Sequence, residues 1–430
     1  MLCVPIKDVR PGMVVARPVC HARNRVYFVQ KGYALDQRAI SRLTSLGVHS
    51  LWIECEGLGE VDDKINDRVV EKRQELSQLL STSVDDLRQR TDAVIVCGQF
   101  EAKMGGLLSE ILNDPSHEPL LATMAGDCGA LVRHQTNCCY VCLLLGTHLS
   151  GYVRHQRRRL PTHLAEDLRA LGMGGFVHDL GQVRLSERAQ KIHALHRHSD
   201  DPEYRSHPKI GCELLRGQIS PLAVYMVAHH HQRFDGLGFP KVKPRDPGSE
   251  PAGLAGDKIH VFARILTVAD AFDRLLGTPQ APRSTIEALH ALQQPQFAGW
   301  FDPIVVAALN RLVPPFMIGS VVTLTDGQRA VVVDNHAEAP CYPTVRVVDG
   351  EPGTPQARVC DEDIDLRATP ELNVGRVNDV DVGPFFFKPP DVPAGVMAYW
   401  GLRTKAARSV SVDPSTLVSA DEAVASEAAG

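Results

Sequence analysis

The chain lacks any apolar run long enough to cross a bilayer. Its longest, Cys138 to Gly146, falls well short of the roughly 20 residues that a spanning helix needs. No membrane span is therefore expected. An excess of one charge is also missing. The balance of 46 basic and 51 acidic side chains leaves a net −5, which gives no reason to expect binding to a nucleic-acid polymer or a membrane surface. Met1 to Arg10 lacks the apolar core of a secretory leader. With eleven cysteines and no leader, the reading is a cytoplasmic protein with reduced thiols. A second Cys-x-x-Cys is absent, so Cys138, Cys139 and Cys142, in an apolar helix-like stretch, read as small buried hydrophobes rather than as a metal cluster.

At 430 residues the chain exceeds one small domain, and two or three are expected. Residues 1–58 read as a small α+β unit. Val4 to Val19 and Arg25 to Val29 are strand-like, Asp36 to Leu46 is helical, and His49 to Glu54 closes the unit. Residues 59–97 read as a helical linker, with Val69, Val70, Leu76, Leu79 and Leu80 at helical spacing. This helix serves either as a spacer or as the seam of a homodimer. Residues 98–313 are helical in pattern. Gly172, Gly174 and Gly175 are costly inside a helix, and their small size suits close approach of neighbouring helices just before His178. Beyond Pro314 the pattern returns to β. Gly319 to Leu324, a turn at Asp326-Gly327, and Ala330 to Asp334 form a hairpin, with a third strand at Thr344 to Val348. This β-rich unit is assigned to residues 314–400. Residues 401–430, rich in Ala, Ser, Asp and Glu, read as a disordered tail.

The chemistry lies in a string of histidines and aspartates. His178-Asp179 stands in FVHDLGQ, His207 in SHPKIG, His229-His230-His231 before RFDGLGFP, and Asp270 in RILTVADAFD. Neutral imidazoles and anionic carboxylates in these numbers are donors suited to Fe, Mn or Zn. The string therefore points to metal-dependent hydrolysis of a phosphate ester. Such a site needs no protein nucleophile, because water activated by metal serves.

The order and spacing of these motifs resemble the HD-GYP family, a branch of the HD phosphohydrolases that hydrolyses the bacterial second messenger cyclic di-GMP. The similarity runs over roughly residues 100 to 313, through HDLG (178–181), HP (207–208), HHxRxDGxGxP (230–240) and RIxxVADAFD (264–273). The N-terminal unit, with PGM at 11–13 and Gly32, also looks like the domain that precedes many members. The resemblance implies a mainly α catalytic domain, an HD-type helical bundle, flanked by small β-rich N- and C-terminal units. It implies His178, Asp179, His207, His230, His231 and Asp270 as metal ligands, with Asp179 bridging two divalent ions. An upstream histidine completes the set. His134 is the best match, and His148 is the runner-up. Ala130 stands where members with three metals carry a Glu, so two ions are expected.

The match departs from the family at several places. Gln182 replaces a Lys implied to contact the substrate phosphate, which removes a charge. Gln232 replaces the Glu of an HHE triplet. The GYP signature reads Gly238-Phe239-Pro240. The basic segment after the last Asp is missing, with Arg283 as its nearest substitute. Arg233, Asp235 and Gly236 belong to the signature loop. Gly236, Gly238 and Pro240 read as turn-formers, and Arg233 is left open between structure and function. His229 reads as a neighbour of the ligands, not a ligand. The run Arg154, Arg157, Arg158, Arg159 reads as a solvated loop, and His193, His196 and His198 as surface residues.

Three functions compete. The first is a phosphodiesterase that opens cyclic di-GMP to pGpG or GMP by a metal-activated water. The second is a weakened or inactive module that senses nucleotide or docks with diguanylate cyclases, which carry GGDEF domains. The third is a phosphohydrolase for another cyclic dinucleotide.

Overall fold

The computed structural model describes residues 1–20, 27–90, 97–114, 129–195, 199–243, 250–278, 281–354 and 357–391, with positions 117, 119 and 248. The expected tail at 401–430, along with His196 and His198, lies outside the described residues. Among those described, no helix is long and apolar enough to cross a membrane.

The N-terminal part runs β1 (Leu2–Pro5), β2 (Val19–Cys20), β3 (Tyr27–Val29), α1 (Gln37–Ser45) and β4 (Ser50–Ile53). Strand β1 pairs antiparallel with β4, Leu2 opposite Ile53. Asp36 caps α1 by accepting from the Ala39 N–H at 2.7 Å, so the helix starts where its first orphan donors find an acceptor. Helix α1 then turns Ile40 and Leu43 inward.

Two helices follow, α2 (Gly59–Asp63) and α3 (Asp67–Gln89), and then α4 (Cys97–Asn113) and α5 (Ala130–His148). Helix α3 buries Val69, Leu76, Leu80, Val84 and Leu87 in the same core as α4 and α5. Of the stripe read as a spacer or dimer seam, Val69, Leu76 and Leu80 are buried in this core and Val70 and Leu79 are half-buried. Helix α5 is buried on nearly every side between Val132 and Gly146. A helix buried on nearly all its sides lies inside a bundle, and its buried polar residues, His134 to Asn137, must then find partners there.

Next in the chain come α6 (Ser150–Gln156), α7 (Thr162–Ala165), α8 (Arg169–Val177), α9 (Glu187–Leu195), α10 (His207–Leu215) and α11 (Pro221–His229); of these, α8 packs most closely on α5. The glycines of α8 do what the sequence suggested. A Cβ at Gly172 would meet Met104 Sδ at 2.4 Å, one at Gly174 would meet Met226 Sδ at 2.5 Å, and one at Gly175 would meet Cys139 Cα at 3.1 Å. Arg157 corrects the solvated-loop reading of the basic run. It is buried, donates to the Ala165 carbonyl at 3.0 Å, and lies over the Phe262 ring.

After the short strands β5 (Gly277–Thr278) and β6 (Ala281–Pro282) comes α13 (Thr285–Leu292), then α14 (Pro303–Leu312). Ahead of these, α12 (Val261–Leu275) is buried from Val261 to Asp273 and packs against α5.

The C-terminal sheet holds β7 (Val321–Leu324), β8 (Arg329–Asp334), β9 (Thr344–Asp349), β10 (Arg358–Val359), β11 (Ile364–Asp365), β12 (Val374–Val377) and β13 (Val380–Asp381). Its order is β10-β9-β8-β7-β12-β13, with β11 also on β9. The β7–β8 turn sits at Asp326-Gly327, where Gly327 adopts φ 90°.

This sheet and the N-terminal part, at opposite ends of the sequence, share one core. Leu2, Val15, Leu51 and Ile53 pack with Phe316, Val322, Val331 and Val345. The Cys3 N–H donates to the Gly319 carbonyl at 2.8 Å. The molecule thus has a helical body with one apolar core and a composite β body with another.

Candidate metal centre

Five elements of the helical body point side chains at one buried spot. His134 comes from α5, His178 and Asp179 from the end of α8, His207 from the start of α10, His230 and His231 from the end of α11, and Asp270 from α12. Each is buried, and all but His134 have no exposed surface.

The imidazoles are aimed by their backbones. His178 Nδ1 lies 3.0 Å from the Gly175 carbonyl, His207 Nδ1 2.6 Å from that of Tyr204, and His230 Nδ1 2.8 Å from that of Val227. A carbonyl can only accept, so each Nδ1 carries the proton and each neutral ring presents an Nε2 lone pair inward. These lone pairs converge. His207 Nε2 lies 3.2 Å from His230 Nε2 and 3.0 Å from His231 Nε2. His178 Nε2 is buried without a hydrogen-bond partner among the described residues. Converging acceptors of this kind repel one another unless a cation lies between them.

The donors fall into two groups. His134, Cys138, His178 and Asp270 form one, and Asp179, His207, His230 and His231 form the other, each with its ligand atoms within 4.8 Å of one another. Asp179 faces both groups. Its Oδ2 lies 3.4 Å from His134 Nε2 and from His178 Nε2. Its Oδ1 lies 3.4 Å from His207 Nε2 and from His230 Nε2. Asp270 Oδ1 stands 3.2 Å from His134 Nε2. Buried nitrogens and carboxylates in this arrangement fit borderline divalent cations such as Fe, Mn or Zn.

The surroundings hold the donors in place. His134 Nδ1 lies 2.6 Å from Asp273 Oδ2. Asp273 in turn accepts from Asn137 Nδ2 at 2.7 Å, and Asn137 accepts from Arg73 at 2.9 Å. A carboxylate behind a ligating imidazole fixes the ring and raises its basicity. In the orientation that satisfies its hydrogen bonds, the Gln135 carboxamide oxygen accepts from the Asp179 N–H at 3.2 Å and the Leu180 N–H at 2.9 Å. Gly181 packs its backbone directly on the His207 carbonyl.

His134, not His148, is the upstream histidine that reaches this spot. His148 ends α5, fourteen residues or about 21 Å further along the helix. Cys139 and Cys142 are plain core residues, but Cys138 differs. Its Sγ lies 3.7 Å from both ring nitrogens of His134, and burial pushes the thiol up to about 12. The sequence reading had grouped it with its neighbours as a buried hydrophobe.

The signature loop is a built turn. A Cβ at Gly238 would meet the Arg233 nitrogen and the His231 carbonyl, each at 2.4 Å, and Gly236 adopts φ 80°. Phe239 stacks on the His231 ring at 4.5 Å, and the next residue is Pro240. Arg233, left open by the sequence, pairs with Asp235 and lies over the Trp300 ring at 4.2 Å. Gln232 donates to the Pro240 carbonyl at 2.6 Å and accepts from the Leu254 N–H at 2.9 Å. His229 packs against the Tyr225 ring at a tilt and belongs to neither donor group. Burial drives its pKa down to about 4. Gln182 is half-buried in the turn after Asp179, and Arg283 is exposed.

Sequence reasoning missed Arg274. Its Nη2 lies 2.5 Å from Asp179 Oδ2 and its Nε 2.6 Å from Asp270 Oδ1. Burial opposes its charge, but Asp270 and Asp179 override that and hold its pKa above the ordinary guanidinium value. The available signal was the four-residue spacing from Asp270 on a helix.

A helical bundle carrying this His/Asp set defines an HD-domain protein, and residues 145–305 match the HD domain family. Residues 321–381 match the KOW domain associated with HD domains. Within that class the chain is similar to cyclic dinucleotide phosphodiesterases. It is 24% identical over 382 residues to a cyclic di-GMP phosphodiesterase of Pseudomonas aeruginosa, covering 80% of this chain and 84% of that protein. It is 31% identical over 169 residues to the cyclic di-GMP phosphodiesterase response regulator RpfG of Xanthomonas campestris, covering 38% of this chain and 41% of the relative. A 3'3'-cGAMP-specific phosphodiesterase of Vibrio cholerae is 26% identical over 151 residues, 33% of this chain and 29% of that protein.

Proposed function

We propose that this protein is a metal-dependent phosphodiesterase that hydrolyses cyclic di-GMP to pGpG or GMP, with two divalent ions held between α5, α8, α10, α11 and α12. The observation that carries the reading is Asp179, whose two oxygens face separate donor groups. The choice of substrate leans on the relatives, above all the one that matches most of the chain.

Bound divalent ions would supply Lewis acidity toward the phosphate oxygens and lower the pKa of a coordinated water. His134, His178, Asp179 and Asp270 are the proposed ligands of the first ion, and Asp179, His207, His230 and His231 those of the second. The carbonyls of Gly175, Tyr204 and Val227 hold the rings so that the Nε2 lone pairs would face bound ions. Asp273 does the same for His134 from its Nδ1 side. Phe239, stacked on His231, covers that ring with an apolar side chain. Gln182 offers the substrate a neutral donor where a charge would bind phosphate more strongly.

The test incubates purified, Mn2+-loaded protein with cyclic di-GMP and separates pGpG and GMP by chromatography. A His178→Ala, Asp179→Ala double variant runs in parallel. Turnover lost in the variant supports the proposal. Metal bound without turnover over long incubation would sink it in favour of a sensor or a docking partner for GGDEF-domain diguanylate cyclases. Gln182 is the feature that favours that second reading. Including 3'3'-cGAMP in the panel separates the enzyme reading from a preference for another cyclic dinucleotide, a comparison motivated by the Vibrio relatives.

A further inference from the structure

We infer that the two metal positions are unequal, because Arg274 is a built-in cation that competes with the ion at the first position and leaves the second alone. The inference rests on the dinuclear reading above. Its evidence is which oxygens the guanidinium holds. A metal at the first position needs Asp179 Oδ2 and Asp270 Oδ1, since these are the carboxylate oxygens that face His134 Nε2, at 3.4 and 3.2 Å. Those same two atoms are the ones bonded by Arg274, at 2.5 and 2.6 Å. At the second position the oxygen is Asp179 Oδ1, and the remaining donors are His207, His230 and His231.

The competition is electrostatic and geometric. Both carboxylates have no exposed surface, and the Arg274 side chain is only 17% exposed, so little water screens the charges. A divalent ion that enters the first position must share both oxygens with a fixed positive charge a few ångströms away, or displace it. Charge-assisted hydrogen bonds of this length are the strong kind. Arg274 also lies one helical turn after Asp270 on α12, so the helix itself presents the competitor to its own ligand. A guanidinium stays protonated across the accessible pH range, so pH cannot relieve the competition.

The experiment titrates metal-free, full-length protein with Mn2+. Binding is read by equilibrium dialysis with elemental analysis, and the electronic state by electron paramagnetic resonance. Wild type is expected to take one ion about tenfold or more tightly than the next. At one equivalent it should show the isolated six-line Mn2+ signal. Arg274→Gln, which keeps hydrogen bonding and removes the charge, should raise the affinity for the weaker ion about tenfold and leave the tighter one unchanged. Arg274→Lys should retain the gap.

Two ions of equal affinity in wild type, with a spin-coupled pair already at half-saturation, would overturn the inference and leave the dinuclear reading standing. An affinity gap that persists in Arg274→Gln would also overturn it. The resonance readout needs wild type alone, so a coupled pair at half-saturation overturns the inference even where a variant folds poorly. Failure of wild type and both variants to bind Mn2+ would overturn the metal-centre reading itself.

Discussion

Gly181→Ala tests how packing sets the metal geometry. Gly181 follows the His178-Asp179 pair by two residues, and its backbone lies against the start of α10. An added methyl would meet the His207 carbonyl oxygen at 2.0 Å and the Gly211 nitrogen at 2.8 Å. Ordinary C···O contact is about 3.3 Å or more, so the turn and α10 must separate by roughly 1.3 Å. Gly181 is absent from the left-handed region, so the substitution acts through this contact and not through backbone strain. His207 is the first residue of α10 and moves with it. Metal sites tolerate about 0.2 Å in ligand distance, several times less than the required shift. The expected result is a loss of about 10–100-fold in Mn2+ affinity at the position that uses His207. A stability cost of about 1–3 kcal/mol should accompany it, as for other overpacked sites. Gly211→Ala is the comparison. Its methyl meets only the Val227 side chain under 3.0 Å, at 2.9 Å, so metal affinity should change little. Equilibrium dialysis and thermal melts read both variants. Gly181→Ala protein that binds Mn2+ as wild type does, at whatever cost in melting temperature, would refute the argument.

Three further outcomes are expected. Asp273→Asn removes the carboxylate behind His134 and should lower metal affinity about 10–100-fold while the chain stays folded, as seen by metal titration alongside circular dichroism. Gln182→Lys should raise cyclic di-GMP turnover by about tenfold or more by adding a charge toward the phosphate, and unchanged kcat and KM would remove Gln182 from the account. His260 caps α12 by accepting from the Phe262 N–H at its Nδ1. Burial, with Arg157 and Arg264 adding to it, drives its pKa from 6.5 to about 3. Because the folded value is depressed, its stabilisation is whole above pH 6.5 and drains as pH falls toward 3, which comes to about 2 kcal/mol by pH 5. Urea melts of wild type and His260→Asn, whose amide can cap without titrating, should differ in pH slope across that range.

The parts of the fold legible in the sequence were those governed by local pattern. The β7–β8 hairpin follows from two Val-rich runs on either side of Asp326-Gly327. Helix α1 starts at Asp36 because that side chain can cap. The glycines before His178 read as a close approach, and their contacts with Met104, Met226 and Cys139 are of that kind. Local pattern stops informing where burial becomes uniform. Helix α5 is buried on nearly every side, polar residues included, so periodicity could not say whether His134 or His148 faced the other donors. Helix α3 showed its stripe plainly, but a stripe does not name what covers it, and here α4 and α5 do. The shared core of Leu2, Ile53, Val322 and Val331 joins residues hundreds of positions apart, beyond the reach of any window.

The same limit explains why the donor residues were visible and their electrostatics were not. Histidine and aspartate are rare enough in buried motifs that their order alone pointed to a metal. Arginine on a helix is ordinary, and a lone Asp270–Arg274 pair four residues apart reads as a surface ion pair worth a fraction of a kcal/mol. What changes its meaning is Asp179, which lies 95 positions earlier and has no exposed surface. Only the packing of α8 against α12 brings that second carboxylate to the guanidinium. Sequence therefore names the ligands, whereas the charge that sets how tightly each position binds is a tertiary property.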